Sequence, residues 1–174
     1  MKKQIAIILA AIITISLIYG YSTNPLAKKK VLVHIVSDIK KNDGPPCVAV
    51  DIALTNLELG NNVEVLFDAD AAWNLKKSND GKNDYDRYEV PSDLKKLVNN
   101  QLNDPDILKL KNFGEFLQML HKKGAKISIN GTWNVLTSVE NEVKGKTKMP
   151  GYVQPLTLKE LVSDINNSEV YYRY

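Results

Sequence analysis

Residues 31–36 read VLVHIV, a nearly continuous, β-branched apolar run. A strand with one wet face alternates apolar and polar residues, so an unbroken run requires cover on both faces. That requirement narrows the fold more than any other feature of the chain. A sheet covered on both sides needs helices, and the sequence supplies them in alternation with further strands.

The run ends at Ser37-Asp38, and KKNDGPP turns the chain. Asp43 is placed to cap a helix with Pro45 or Pro46 in its first turn, where the missing N–H has no partner to lose. Cys47, Val50, Leu54 and Leu57 recur three or four residues apart and predict a buried stripe on that helix, which stops at Gly60. Val63 to Phe67 predicts a second strand, ending in Asp68 and Asp70. Residues 76–90, KKSNDGKNDYDRYEV, read as a solvated loop whose acidic residues do not have EF-hand spacing. PSDLKKLVNNQL starts a helix with Ser92 as its cap, and NFGEFLQMLHKKG is an amphipathic helix closed by Gly124.

AKISIN is the third strand. TWNVLTSVENEV predicts a helix, and MPGYVQP a short fourth strand around Tyr152–Gln154. TLKELVSDINN opens on Thr157 with Glu160 three residues later, a capping box. SEVYYRY closes the chain as a strand. Five strands alternating with helices predict an α/β fold of three layers, α/β/α, around a mainly parallel five-stranded sheet.

The 174 residues suit one domain. Ahead of it, Lys2 and Lys3 precede an uncharged apolar run from Ile5 to Tyr19, the pattern of an export signal over residues 1–22. Gly20 and Ser22 permit cleavage, and the expected destination is the periplasm. The alternative is an inner-membrane anchor over residues 5–21, with Tyr19 and Tyr21 at the interface. The domain then spans 28–174, with a polar insertion near 76–106. Without Lys2 and Lys3 the chain has 21 basic residues against 20 acidic ones. No basic stripe alternates with aromatics, which argues against a nucleic-acid partner.

Cys47 is the single cysteine, so no intramolecular disulfide forms. One cysteine and two distant histidines, His34 and His121, cannot make a zinc cluster. The sequence holds no Gly-rich phosphate loop, nucleophile elbow or metal motif, and neither cofactor nor metal is expected.

Asp38, Asp68, Asp70 and Asn130 all follow strand ends, and the carboxyl edge of a parallel sheet is where ligands bind. With Trp133 as a wall they form the candidate ligand crevice; capping and turn formation is the competing role of each. Trp73 also follows a strand end. Cys47 is the one sulfur nucleophile. Its first-turn position can lower a thiol pKa, but its place on the apolar stripe favours packing. His34, inside the first strand, is expected to be a half-buried, hydrogen-bonded histidine. His121 suits the carboxyl end of its helix.

KVLVHIVSD, LELGNNVEVLFDADAAW, LHKKGAKISINGTW and PGYVQPLTLKELVSDINNSEVYYRY, in this order and spacing, resemble the DsrE/DsrF-like family of sulfur-relay proteins. The resemblance implies a DsrE-like domain over 28–174. Family members that carry sulfur do so on a cysteine ending the third strand, in a stretch like V-x-V-C, and some carry another three residues later. The matching positions here are Asn130 and Trp133. Neither can hold a persulfide. Two readings follow. One is an exported, non-catalytic binding or assembly protein with a crevice for a small ligand, contact with the membrane at its N-terminus, and assembly with itself or related DsrE-like subunits. The other is a sulfur carrier or sulfurtransferase whose nucleophile has moved to Cys47.

Overall fold

The structure, a computed structural model, describes residues 27–174; the expected export signal at 1–22 and the alternative anchor over 5–21 lie outside the described residues. No helix among the described residues is long and apolar enough to cross a membrane.

Five strands form one sheet: β1 (Lys30–Ile35), β2 (Asn62–Phe67), β3 (Lys126–Asn130), β4 (Val153–Leu156) and β5 (Val170–Arg173). The order is β4-β3-β2-β1-β5, and every neighbouring pair is parallel. The helices are α1 (Gly44–Glu58), α2 (Ala69–Trp73), α3 (Ser92–Leu102), α4 (Phe113–Lys122), α5 (Gly131–Leu136) and α6 (Leu158–Asn166), with a 3-10 turn at Ile107–Lys109.

The VLVHIV run is buried from Val31 to Ile35. Val31, Val33 and Ile35 join Val65, Phe67, Ile127 and Ile129 in the main core, beneath Val50 and Leu54 of α1 and Phe116 and Leu120 of α4. Leu32 points the other way and packs with Leu66, Leu156 and Leu161 of α6. The chain steps in one direction from β1 to β4 and then returns across the sheet to β5. With right-handed crossovers that reversal puts α6 opposite α1 and creates a switch point between the carboxyl ends of β1 and β5.

Local signals behave as their chemistry requires. Gly60 closes α1 at φ +81° and Gly124 follows α4 at φ +106°, a region that side chains other than glycine's resist. Thr157 and Glu160 complete a reciprocal capping box on α6. The Asp43 side chain makes no cap bond; its carbonyl accepts the Cys47 N–H at 3.0 Å instead.

Four local expectations change. Pro91 takes the cap position of α3, so Ser92 begins that helix instead of capping it. The fourth strand, expected around Tyr152–Gln154, runs from Val153 to Leu156, and Pro155 is tolerated in it because β4 is an edge. Within 76–90, Tyr85 is fully buried and meets Phe67 edge to face, centroids 5.3 Å apart, so one aromatic anchors an otherwise polar loop. The helix expected over 132–143 ends at Leu136. The Asn134 carbonyl takes the N–H groups of Val139 and Glu140, and Ser138 adopts φ +56°, which no helix continues.

Candidate functional site

Asn130 ends β3, is buried to 9% exposure, and occupies the cap position of α5. Its Oδ1 accepts the backbone N–H groups of Thr132 at 3.1 Å and Trp133 at 3.2 Å. Its Nδ2 donates to Asp68 Oδ1 at 2.9 Å. Both ends of the amide are engaged. Asp68 caps α2 in the same manner, with Oδ1 accepting the Ala69 N–H at 2.7 Å.

Asp68 also reaches the first strand. Its Oδ2 lies 3.3 Å from His34 Nε2, and His34 Nδ1 meets the Tyr171 hydroxyl at 2.7 Å. Burial pushes the Asp68 carboxyl up, but hydrogen bonds from His34, Asn130 and the Ala69 N–H outweigh it and hold the group below the usual carboxylate range. A polar chain therefore runs Tyr171–His34–Asp68–Asn130 across β5, β1, β2 and β3, next to the switch point. His34 is more buried than expected, 7% exposed, and hydrogen-bonded as expected.

Asp38 and Asp70 belong elsewhere. They line a cavity of about 610 Å³ with Lys40, Lys41, Trp73 and Asp84. Two of its carboxylates are held by Asn74, fully buried, whose Nδ2 donates to Asp38 Oδ1 at 2.7 Å and Asp84 Oδ2 at 3.1 Å while its Oδ1 accepts the Ile39 N–H. Burial raises the Asp38 carboxyl, yet Asn74, the Lys40 N–H and the Lys40 and Lys41 cations bring it below its ordinary value. Lys40 pairs with Asp84 at 3.0 Å and Lys41 with Asp70 at 2.9 Å. Trp73 stands 44% exposed beside this opening. The surface is charged, mostly self-neutralised and flanked by one aromatic face, a composition suited to a small polar ligand.

The five crevice residues thus separate. Asp38 and Asp70 meet at the cavity, Asp68 and Asn130 hydrogen-bond to each other, and Trp133 packs against the main core. Cys47 is half-buried on α1. Burial first, then the Asp43 and Asp51 carboxylates, push its thiol up to about 11, which suppresses thiolate at neutral pH. Sequence reasoning missed Tyr171, Asn74 and Asp84. A polar residue without a motif becomes legible only when its neighbour strand is known, and Tyr171 reaches His34 because β5 crosses back to β1.

No protein-family model matches the sequence, and no curated protein does either. The chain is similar in fold to the ychN protein from E. coli, known from a crystal structure, over 84% of this chain and 99% of that one. The TM-score is 0.50 and the sequence identity 12%. That protein has a DsrE-like fold, and at this identity the likeness is one of fold: a five-stranded parallel sheet between helices.

Proposed function

We propose that this chain is an exported DsrE-like binding or assembly protein that carries no sulfur at the end of its third strand. One observation carries the reading: the amide of Asn130 bridges the first N–H groups of α5 and the Asp68 carboxylate, 2.9 Å away. Those N–H groups are what would steady a thiolate. Here an uncharged oxygen takes them, and a carboxylate sits where it would repel an anion. Cys47, with its thiol raised to about 11, makes a poor replacement. The open cavity beside Trp73 is then the place for a small polar ligand.

Alkylation by iodoacetamide, followed against pH, tests this. Native Cys47 should label slowly in the fold and quickly in denaturant, and polysulfide treatment should leave no one-sulfur adduct by mass spectrometry. In a Cys47→Ser background, Asn130→Cys should also label slowly near neutral pH because Asp68 opposes its thiolate. Adding Asp68→Asn should accelerate it. Fast labelling of native Cys47 together with a one-sulfur adduct would sink the reading in favour of a relocated carrier.

A further inference from the structure

Charge is unevenly spread around the cavity beside Trp73, where four lysines stand against three aspartates. Each aspartate already has a partner. Asp84 holds Lys40, Asp70 holds Lys41, and Asp38 accepts from the Asn74 amide and the Lys40 N–H. Lys76 and Lys77 differ: both are half-buried, and neither has a carboxylate partner among the described residues. Lys76 Nζ donates to the Ser138 carbonyl at 2.8 Å and stands 5.9 Å from the centre of the Trp73 ring. The Lys77 N–H donates to the Lys148 carbonyl at 2.7 Å. The head group of one and the backbone of the other are thereby tied to the segment after α5 and held at the opening.

A half-buried cation has lost part of its hydration, and a backbone carbonyl or a ring face returns only part of it. The compensation still lacking is a full negative charge. Trp73, 44% exposed at the same opening, adds a rigid apolar surface. From this arrangement we infer that the cavity binds a small organic anion with a planar apolar body, an aryl carboxylate in chemical class. Its carboxylate lies between Lys76 and Lys77, and its ring rests against Trp73. The inference names the class of the small polar ligand proposed above and rests on the binding half of that reading. A cation of the same shape would have to displace a lysine or the Asn74 amide to reach a carboxylate. An anion displaces no ion pair. A bare carboxylate makes the same charge contacts but leaves the indole wet. The opening of about 610 Å³ falls within the size range of small-molecule sites, roughly 300–1,000 Å³.

Nitrogen-15 NMR on the full chain tests this, with benzoate, acetate and benzylammonium as the probes. The indole N–H signal of Trp73, assigned by its loss in Trp73→Phe, and the amides of Ser78 and Asn79 report on the cavity. Benzoate should move these signals along a saturating curve, with a Kd in the millimolar range that so few contacts allow. Acetate should bind roughly tenfold more weakly, and benzylammonium should give no saturating shift. Lys76→Gln and Lys77→Gln should each weaken benzoate roughly tenfold, and so should salt at about 1 M, where the screening length is about 3 Å. The Lys77 head group has no partner among the described residues, so Lys77→Gln loses the ligand while melting like the wild type. Benzoate that gives no saturable shift, acetate or benzylammonium that matches it, or benzoate binding untouched by both lysine variants would overturn the inference. None of these outcomes touches the thiol measurements above. A one-sulfur adduct on Cys47 would sink the non-carrier reading and leave these titrations as they stand.

Discussion

Asp51 and Asp68 are both withdrawn from water, and the fold treats them in opposite ways. Asp51 lies on α1 with its Oδ1 buried and unpartnered among the described residues, and burial pushes its carboxyl up to about 6 from 3.8. The folded state holds this proton more tightly than the unfolded chain, so stability is lost as pH rises from about 4 to about 6 and stays lost above. Asp51→Asn should therefore stabilise by roughly 1–2 kcal/mol at neutral pH and give no gain below about pH 4. Asp68 has the reverse sign. Its folded value is lowered, so its contribution is present above the unfolded value of 3.8 and fades as pH falls through the folded one. Asp68→Asn should cost about 1–3 kcal/mol at neutral pH, and less in acid. Urea melts of both variants at several pH values check the two signs. At this scale the residues of the candidate site were legible as strand-end polar groups, but their partners were not. Asn130 reads as a turn residue in KISINGTW; that it holds Asp68, 62 positions earlier, depends on β2 lying beside β3.

Elements whose signals are local came through closely. In α6, Thr157 accepts the Glu160 N–H and Glu160 reaches back to the Thr157 N–H at 2.7 Å, as a Thr-x-x-Glu pattern implies. Thr157→Ala should cost about 1 kcal/mol, read as a lowered urea midpoint with unchanged slope. The stripe predicted on α1 holds at Val50 and Leu54, which are fully buried, while Cys47 and Leu57 sit at its half-buried margin. α5 fell short of its pattern because the left-handed turn at Ser138 lets Val139 and Glu140 bury, a gain that helix periodicity does not register. The polar tract at 76–90 hid Tyr85 for a related reason. Composition averages over a segment, and one fully buried ring can anchor a loop whose other side chains stay wet.

In the whole molecule β1 lies inside the sheet with both faces covered. It pairs with β2 on one side and β5 on the other, and Val33 is fully buried between Val65 and Tyr172. Val33→Asp should place an unpaired charge there and cost several kcal/mol, enough to unfold a domain of ordinary stability. Loss of the cooperative melt, followed by circular dichroism, is the expected outcome. Periodicity, caps and turn residues determined where the strands and helices lie and that the sheet is parallel. These depend on side chains three or four positions apart, or on how an apolar run must be covered. Strand order was decided only in three dimensions, because it depends on which surfaces bury most area together, and sequence separation does not record that. The candidate site follows strand order. Crossing back from β4 to β5 brings Tyr171 to His34, opens the switch point, and leaves β5 at the edge of the sheet. The cavity depends on the same long-range placement, since α2 and the loop after it must return beside the turn that follows β1 before Asp38, Asp70, Trp73 and Asp84 can face one opening.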